Sequence, residues 1–591
     1  MTNLSQLFLE SCRTHRKPDR LLVKRAGAWV PISTGEFETA VRHLSLGFRS
    51  LGLKAGDKVA ILSENRPEWI MTDFAALTAG AVTVPVYTSL LPDQVRFIIH
   101  DAEAKIVVCS NLDLFNKVEA ARAGLASVER IVLIEDGAPD GVLAFSDVLA
   151  RGRVLEAASP GLFDEGAGAV KADDLASIIY TSGTTGLPKG VMLSHGNFIS
   201  NIMSLMDIVD FRATDTALSF LPLSHVLERT AQFIFLRAGS TIAYAESIEA
   251  MAANMIEVRP HVVISVPRLF EKIYARIMEQ IVTGSMVKRV IFNWAVTVGK
   301  KYAAKLIARA PIPSLLAFRR ALADKLVFSK ITGRTGGRIR FFVCGGAPLS
   351  QDIAEFFYAM GIVILPGYGL TETSPVLTGN TLDNYRFGTV GKPIPDVALC
   401  IAADGEILAR GANVMKGYYK NEADTREVMK DGWFHTGDIG HFDEDGFLII
   451  TDRKKDIIVT SGGKNIAPQP IERLIQSSPF FANAVVVGSS RKFISALVVP
   501  NFEKLERYAR SKAVSFRDRA ELCRLPEIVS FLLDEVNRMT PGLSSYERVK
   551  KIAVLDRDFE IEMGEITPTL KVRRNIVEAK YASLIESLYL D

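Results

Sequence analysis

The chain alternates short apolar runs with longer amphipathic ones. Lys58–Leu62 (KVAIL) reads as a strand, Pro67–Ala79 as a helix with its proline in the first turn, and Val82–Val86 (VTVPV) as a second strand. The same order returns at Ala217–Leu221, Val226–Arg237 and Thr241–Tyr244. It returns once more at Ile339–Cys344, Gln351–Met360 and Ile362–Leu365. Strands that alternate with helices predict largely parallel sheets covered by helices. Ligands of such folds sit at loops beyond the carboxyl ends of the strands.

After about Val390 the pattern changes. His441–Asp452 (HFDEDGFLIITD) reads as a hairpin turning at Asp445-Gly446. Charges then cluster in DRKKD, Asp452–Asp456. Ile471–Ser477 is helical in pattern, and Ala484–Gly488 and Ile494–Val499 are strands. At 591 residues the chain exceeds one ordinary domain. The expected fold is α/β, with a large N-terminal domain over 1–452 and a small mobile α+β C-terminal domain over 453–591. The large domain would hold parallel-rich sheets flanked by helices, plus a β-rich subdomain.

Composition narrows the class. Apolar residues make up 48% and charged residues 23%, which fits a soluble globular chain with room for a large core. The cysteines Cys12, Cys109, Cys344, Cys400 and Cys523 are odd in number and scattered, with no CxxC. That argues against a disulfide framework or a zinc site and favours a reducing compartment. The first residues contain no apolar stretch of the kind a secretory signal needs, so a cytoplasmic location is expected. The longest uncharged run, Phe74–Pro92, contains Gly80 and Pro85 and reads as a helix followed by a buried strand rather than a membrane span.

Charge changes the picture in one place. The chain carries +3 overall, yet residues 281–340 carry thirteen cations and one acid, Asp324. The stretch interleaves these cations with Met286, Val287, Val290, Ile291, Leu315 and Leu322. Two readings stay open: basic amphipathic helices that lie on an anionic membrane face, or a solvated basic face beside a packed apolar one.

The stretch YTSGTTGLPKG, Tyr180–Gly190, follows the apolar run Ala176–Tyr180 directly. Glycines let backbone N–H groups approach an oxyanion, hydroxyls add donors, and Lys189 adds a point charge. Such a loop suits a polyphosphate, although its spacing is not that of a Walker A loop, and a Gly/Ser-rich turn is otherwise only a turn. Four further segments follow in order: GYGLTET at Gly367–Thr373, GWFHTGDIG at Gly432–Gly440, DRKKD, and TPTLKVRR at Thr567–Arg574. Together they resemble the adenylate-forming superfamily of acyl-CoA synthetases, luciferases and peptide-synthetase adenylation domains. The resemblance covers nearly the whole chain and is greatest to long-chain fatty acid–CoA ligases.

The resemblance implies a two-step reaction. A carboxylate and ATP with Mg2+ give an acyl-adenylate and pyrophosphate, and the thiol of coenzyme A then displaces AMP. It assigns Thr181, Ser182, Gly183, Thr184, Thr185 and Lys189 to the phosphate loop, and Glu372 with Thr184 to the magnesium ion. Thr371 would bond the α-phosphate, Tyr368 would stack on adenine, and Gly345, Gly346 and Ala347 would give adenine and acyl group close backbone approach. Asp438 and Arg453 would hold the ribose, and His225 would sit near the substrate carboxylate. Lys571 would be the catalytic lysine of the small domain, preceded here by Thr569-Leu570 where many relatives have Ser-Gly. Lys455 matches the hinge, and Ser461, Gly462 and Gly463 match the loop that approaches pantetheine. Arg573, Arg574 and Lys550 read as a basic surface.

The acid is expected to be a long-chain fatty acid, with Tyr244 either an aromatic gate to the acyl tunnel or a core tyrosine. The expected partners are the fatty acid, ATP and coenzyme A, with no nucleic acid. Peripheral contact with the inner face of an anionic membrane and a homodimer are both left open. Two other classes share the motifs: a ligase that loads a carrier protein, and a non-catalytic nucleotide-binding relative.

Overall fold

Parallel pairing builds two large sheets, as the alternation predicts, in a computed structural model that describes residues 1–181, 188–462, 464–560, 563–567 and 572–590. In the first sheet, Lys58–Leu62 lies between Val82–Val86 and Ala104–Cys109, all parallel. Val82–Val86 is buried along its whole length, as a strand covered on both faces must be. Leu175–Thr181 joins it in parallel, and Lys189–Ser194 then returns antiparallel. The edge is the two-residue strand Gly417–Tyr418, antiparallel to Lys189–Ser194.

The second sheet has nine strands. Thr216–Ser219 lies at its middle, between Thr241–Tyr244 and Val262–Ser265. Phe341–Cys344 and Ile364–Gly369 continue the parallel run outward. The pattern expects the last strand to stop at Leu365, but it runs on through Gly367-Tyr368-Gly369 and pairs antiparallel with Val376–Gly379. Glycine makes this extension feasible: a Cβ at Gly369 would lie 1.8 Å from the Pro375 carbonyl oxygen. The β-rich portion includes strands Val397–Ile401, Glu406–Gly411, Trp433–Phe442 and Leu448–Arg453 of a five-stranded sheet.

The chain divides into two units. One comprises residues 1–400, 408–435 and 442–449; the other comprises 401–407, 436–441 and 450–591. In the second unit, Phe481–Val487 and Ser495–Pro500 pair antiparallel, and Ile552–Val554 adds in parallel. Alternate residues of these strands feed two cores. Ala484, Val486, Ala496 and Val498 face one cluster with Ile471 and Leu532, while Val485, Val487, Leu497 and Val499 face another with Val577.

Candidate active site

In the first unit, antiparallel strand pairing places Thr181 opposite Lys189. Ser182, Gly183, Thr184 and Thr185 lie outside the described residues, as do Gly463 and Lys571. The Lys189 ammonium lies 2.6 Å from the Asp424 carboxylate and 5.3 Å above the ring centre of Tyr418. Asp424 sits in the first turn of the helix Glu422–Val428, where Asn421 caps its N–H and donates to its carboxylate at 2.8 Å.

Tyr418 is 8% exposed, and its backbone is fixed from two sides. It pairs with Val191 across the sheet edge, and its N–H donates to the Thr425 hydroxyl at 2.9 Å. Its own hydroxyl donates to Glu372 Oε1 at 2.9 Å. Glu372 lies in the short turn Thr371–Thr373, directly after the strand that carries Tyr368. That turn is tied to residues 413–415: the Glu372 carbonyl accepts from Met415 N–H at 2.8 Å, and the Thr373 carbonyl accepts from the Asn413 amide at 2.8 Å. The structure therefore brings Lys189 and Glu372, far apart in sequence, onto one tyrosine. The sequence reading missed Tyr418 and Asp424; neither carries a local signal beyond the dipeptide GY and a helix N-terminus.

Gly345 and Gly346 follow the strand Phe341–Cys344, and Gly346 adopts φ +81°, which a side chain would strain. Gly345 is buried, with Leu227 so near that an added Cβ would lie 3.2 Å from it, whereas Gly346 and Ala347 are exposed. His225 is the N-cap of the helix Val226–Ala238: its Nδ1 accepts from Leu227 N–H at 3.2 Å. Thr230 on that helix donates to the Ser374 carbonyl at 3.3 Å, linking it to the Glu372 turn. A carboxylate on a turn at a strand end suits Mg2+, which is usually bound by one or two carboxylates and completed by phosphate oxygens and water. The donor chemistry of Glu372 fits that ion.

The same helix carries a buried polar row. Arg229 is fully buried, paired with Asp73 at 2.6 and 2.8 Å, and donates to Ser177 and Thr83 at 2.6 Å each. Tyr244, 1% exposed, donates through its hydroxyl to Gln232 at 3.0 Å, and Gln232 donates to Glu228 at 3.3 Å. Burial pushes the Glu228 carboxyl up to about 8. In the unfolded chain the same group titrates near about 4.3. Between these values the folded state holds a proton that the unfolded state has released, so this group's contribution falls as pH rises through the window. Glu228→Gln, which cannot titrate, is expected to gain thermal stability relative to the parent as pH rises from 5 to 8. Melting curves at several pH values check this; parallel pH dependence in the two proteins would refute it.

In the second unit, Asp438 is 5% exposed and its carboxylate lies 2.9 Å from Arg453 Nε. Lys454 pairs with Asp404 at 2.7 Å and Glu406 at 2.9 Å, and its N–H donates to the Gly437 carbonyl. Lys455 is exposed on a turn between Asp452 and Asp456, both of which accept from Gln469. Ser461 and Gly462 are exposed on a turn, and Ser461 N–H donates to the Arg491 carbonyl at 2.9 Å.

The expected basic surface near the C-terminus needs correction at Arg574. It is held by Glu472 at 2.6 Å and donates to the Val486 carbonyl, so it is an internal tie rather than a surface cation. Nearby, Glu565 is fully buried. Burial alone would raise its carboxyl, but Arg557, Lys580 and the Glu560 N–H hold it down at about 2. Ile566 bridges to Val572, and Arg573 N–H donates to the Glu565 carbonyl at 2.7 Å, one residue outside that bridge on each side.

Two family models match the chain: "AMP-binding enzyme" over residues 11–419 and "AMP-binding enzyme C-terminal domain" over 455–591. A Mycobacterium bovis protein named long-chain-fatty-acid–CoA ligase is 37% identical over 580 residues, covering 97% of this chain and 95% of its own. Long-chain-fatty-acid–CoA ligase 5 of Mus musculus is 34% identical over 564 residues, covering 90% of this chain and 80% of its own. Among solved structures, the adenylation domain of a carboxylate reductase from Mycobacterium chelonae shares the fold, with a TM-score of 0.76 at 23% identity over 100% of this chain and 91% of that one. With its large unit and its C-terminal unit both matched, the chain belongs to the AMP-binding enzyme family.

Proposed function

We propose that the chain activates a long-chain fatty acid with ATP and transfers it to coenzyme A. The observation that carries this reading is the convergence of Lys189 and Glu372 on Tyr418, beside the paired residues Thr181 and Lys189. The long-chain ligases among its relatives support the choice of acid.

A fatty acid carboxylate oxygen attacks the α-phosphorus, the bond to the bridging oxygen breaks, and pyrophosphate leaves. The thiol sulfur, having lost its proton, then attacks the acyl carbon, and AMP departs with the electron pair. Both reactants of the first step are anionic, so cationic groups must offset their repulsion. Lys189 and Lys571 supply that charge, and Thr181 with the loop hydroxyls supplies donors. Glu372, with Thr184, would hold Mg2+, which screens the phosphate charge when bound. Asp438 and Arg453 orient the ribose, Tyr368 and the Gly345–Ala347 backbone receive the adenine, and His225 and Thr371 flank the reacting groups. Ser461, Gly462 and Gly463 approach the pantetheine arm, with Lys455 as pivot and Tyr244 at the acyl tunnel.

Saturated acids of graded length, each incubated with MgATP and coenzyme A, test the reading by mass spectrometry of the thioester. Long acids should be the best substrates. Thioester formation only on a carrier protein, or no pyrophosphate release with any acid, would overturn it.

Peripheral membrane contact forms part of the proposal. On the helices Met286–Ile307 and Ser314–Ala323, Met286 is 79% exposed, Val290 63% and Phe318 68%; Lys288 and Arg319 on the same helices and Lys325 in the following turn Asp324–Phe328 are exposed as well. A purely packed apolar face would not leave these side chains in solvent. Arg320 belongs to the interior instead, paired with Asp324 and stacked over Phe328 at 4.7 Å. Co-sedimentation with anionic vesicles is expected, weakening with salt, because exposed charges are screened beyond about 8–10 Å. Reversing Lys288, Arg319 and Lys325 to Glu should reduce it. Equal binding to neutral and anionic vesicles would refute the electrostatic contribution. Among the described residues, no helix is long and apolar enough to cross a membrane.

A further inference from the structure

We propose that Tyr418 is a positioning residue that couples the Lys189 cation to the Glu372 carboxylate. The inference rests on the adenylate-forming reading above and deepens it. One side chain touches both charges: the ring face lies 5.3 Å from the Lys189 ammonium, and the hydroxyl donates to Glu372 Oε1 at 2.9 Å. A ring quadrupole attracts a cation to its face, and a hydroxyl donates well to a carboxylate, so both contacts use the tyrosine as its chemistry favours.

The tyrosine has little freedom to do otherwise. Its backbone is pinned between strand Lys189–Ser194 and the Thr425 hydroxyl, and its neighbours extend the ladder: Lys416 N–H donates to the Met192 carbonyl and Tyr419 N–H to the Gly190 carbonyl. Lys189 begins the strand on which this ladder forms. The carboxylate is set from the other side, since Met415, three residues before Tyr418, donates to the Glu372 carbonyl. One short segment, 415–419, therefore grips the main chain beside Lys189 and beside Glu372, and its tyrosine spans the two side chains. Asp424 balances the lysine from the adjoining helix at 2.6 Å.

The coupling has a specific consequence. The Tyr418 hydroxyl donates to one carboxylate oxygen and so would set the orientation in which Glu372 meets Mg2+ when bound. Hydrogen-bond partners of metal-binding carboxylates commonly govern metal affinity by about 10- to 100-fold. Tyr418→Phe keeps the ring and removes the hydroxyl that donates to Glu372. Tyr418→Leu removes the ring face as well.

Calorimetric titration of the full chain with α,β-methylene-ATP across a range of Mg2+ concentrations reads binding without turnover. In Tyr418→Phe, the Mg2+ concentration for half-maximal nucleotide binding is expected to rise about 10-fold, with affinity at saturating Mg2+ changed by no more than about twofold. Tyr418→Leu should in addition lose about fivefold in affinity at saturating Mg2+, the cation–ring contribution. Adding Tyr418→Phe to Glu372→Gln should cost nothing further, because the hydroxyl acts through that carboxylate. An unchanged Mg2+ dependence in Tyr418→Phe, or additive losses in the double variant, would overturn the coupling while leaving the functional reading intact. No binding of the analogue by the parent protein at any Mg2+ concentration would overturn both. Equal melting temperatures for parent and Tyr418→Phe keep a folding defect from imitating the result.

Discussion

Glu372→Ala is expected to lower acyl-adenylate formation by roughly 10²-fold or more, comparable to loss of one preorganised charge-stabilising group. The expectation follows from where charge accumulates in the proposed reaction: two anions meet at the α-phosphorus, and in that proposal this carboxylate would hold the divalent cation that screens them. The fold should survive. The turn is tied to Met415 and Asn413 through backbone carbonyls, so among the described residues truncation removes the Tyr418 hydrogen bond and leaves those ties in place. ATP–pyrophosphate exchange measures the step, and melting temperature checks the fold. Near-normal exchange at saturating Mg2+ would remove Glu372 from the mechanism.

Asp73→Ala is expected to destabilise the large unit by about 3–5 kcal/mol, the usual cost of leaving a buried charge without its partner. Arg229 and Asp73 are both fully buried, and the guanidinium also lies 5.4 Å from the ring centre of Phe198 and 5.5 Å from that of Phe233. Ser177 and Thr83 would remain as neutral acceptors and would not replace the carboxylate. The damage should reach the site, because the helix that bears Arg229 begins at the His225 cap and bonds the Ser374 carbonyl through Thr230. Replacing both partners, Asp73→Leu with Arg229→Met, should recover most of the loss, since a well-packed apolar pair avoids the desolvation penalty. Denaturant unfolding followed through the large unit's own transition provides the measurement. A loss below about 1 kcal/mol for Asp73→Ala would mean water reaches the guanidinium, against its burial.

Elements whose signal is local were legible in the sequence. The strands Lys58–Leu62, Val82–Val86 and Thr241–Tyr244 stand at the bounds that their apolar runs predict, because full burial leaves a continuous apolar signature. Gly367–Gly369 was harder to place, since two glycines in three residues read as loop, while here they allow two backbones to approach. The motif residues could be located along the chain, but spacing does not reveal contacts in space. Tyr418 and Glu372 are 46 residues apart, and only sheet register brings them together. Arg574 shows the converse error: with Arg573 and Lys550 it reads as part of a basic surface, whereas tertiary packing turned it inward to Glu472.

The bridge between Ile566 and Val572 has an architectural consequence for the chain next to Lys571. Val572 is paired to Ile566, and one residue further out Arg573 N–H donates to the Glu565 carbonyl. Glu565 is itself locked by Arg557 and Lys580. Position 571 is thus one peptide bond from an anchor held through both its own pairing and its neighbour's, so a substitution before Lys571 leaves that anchor's ties in place.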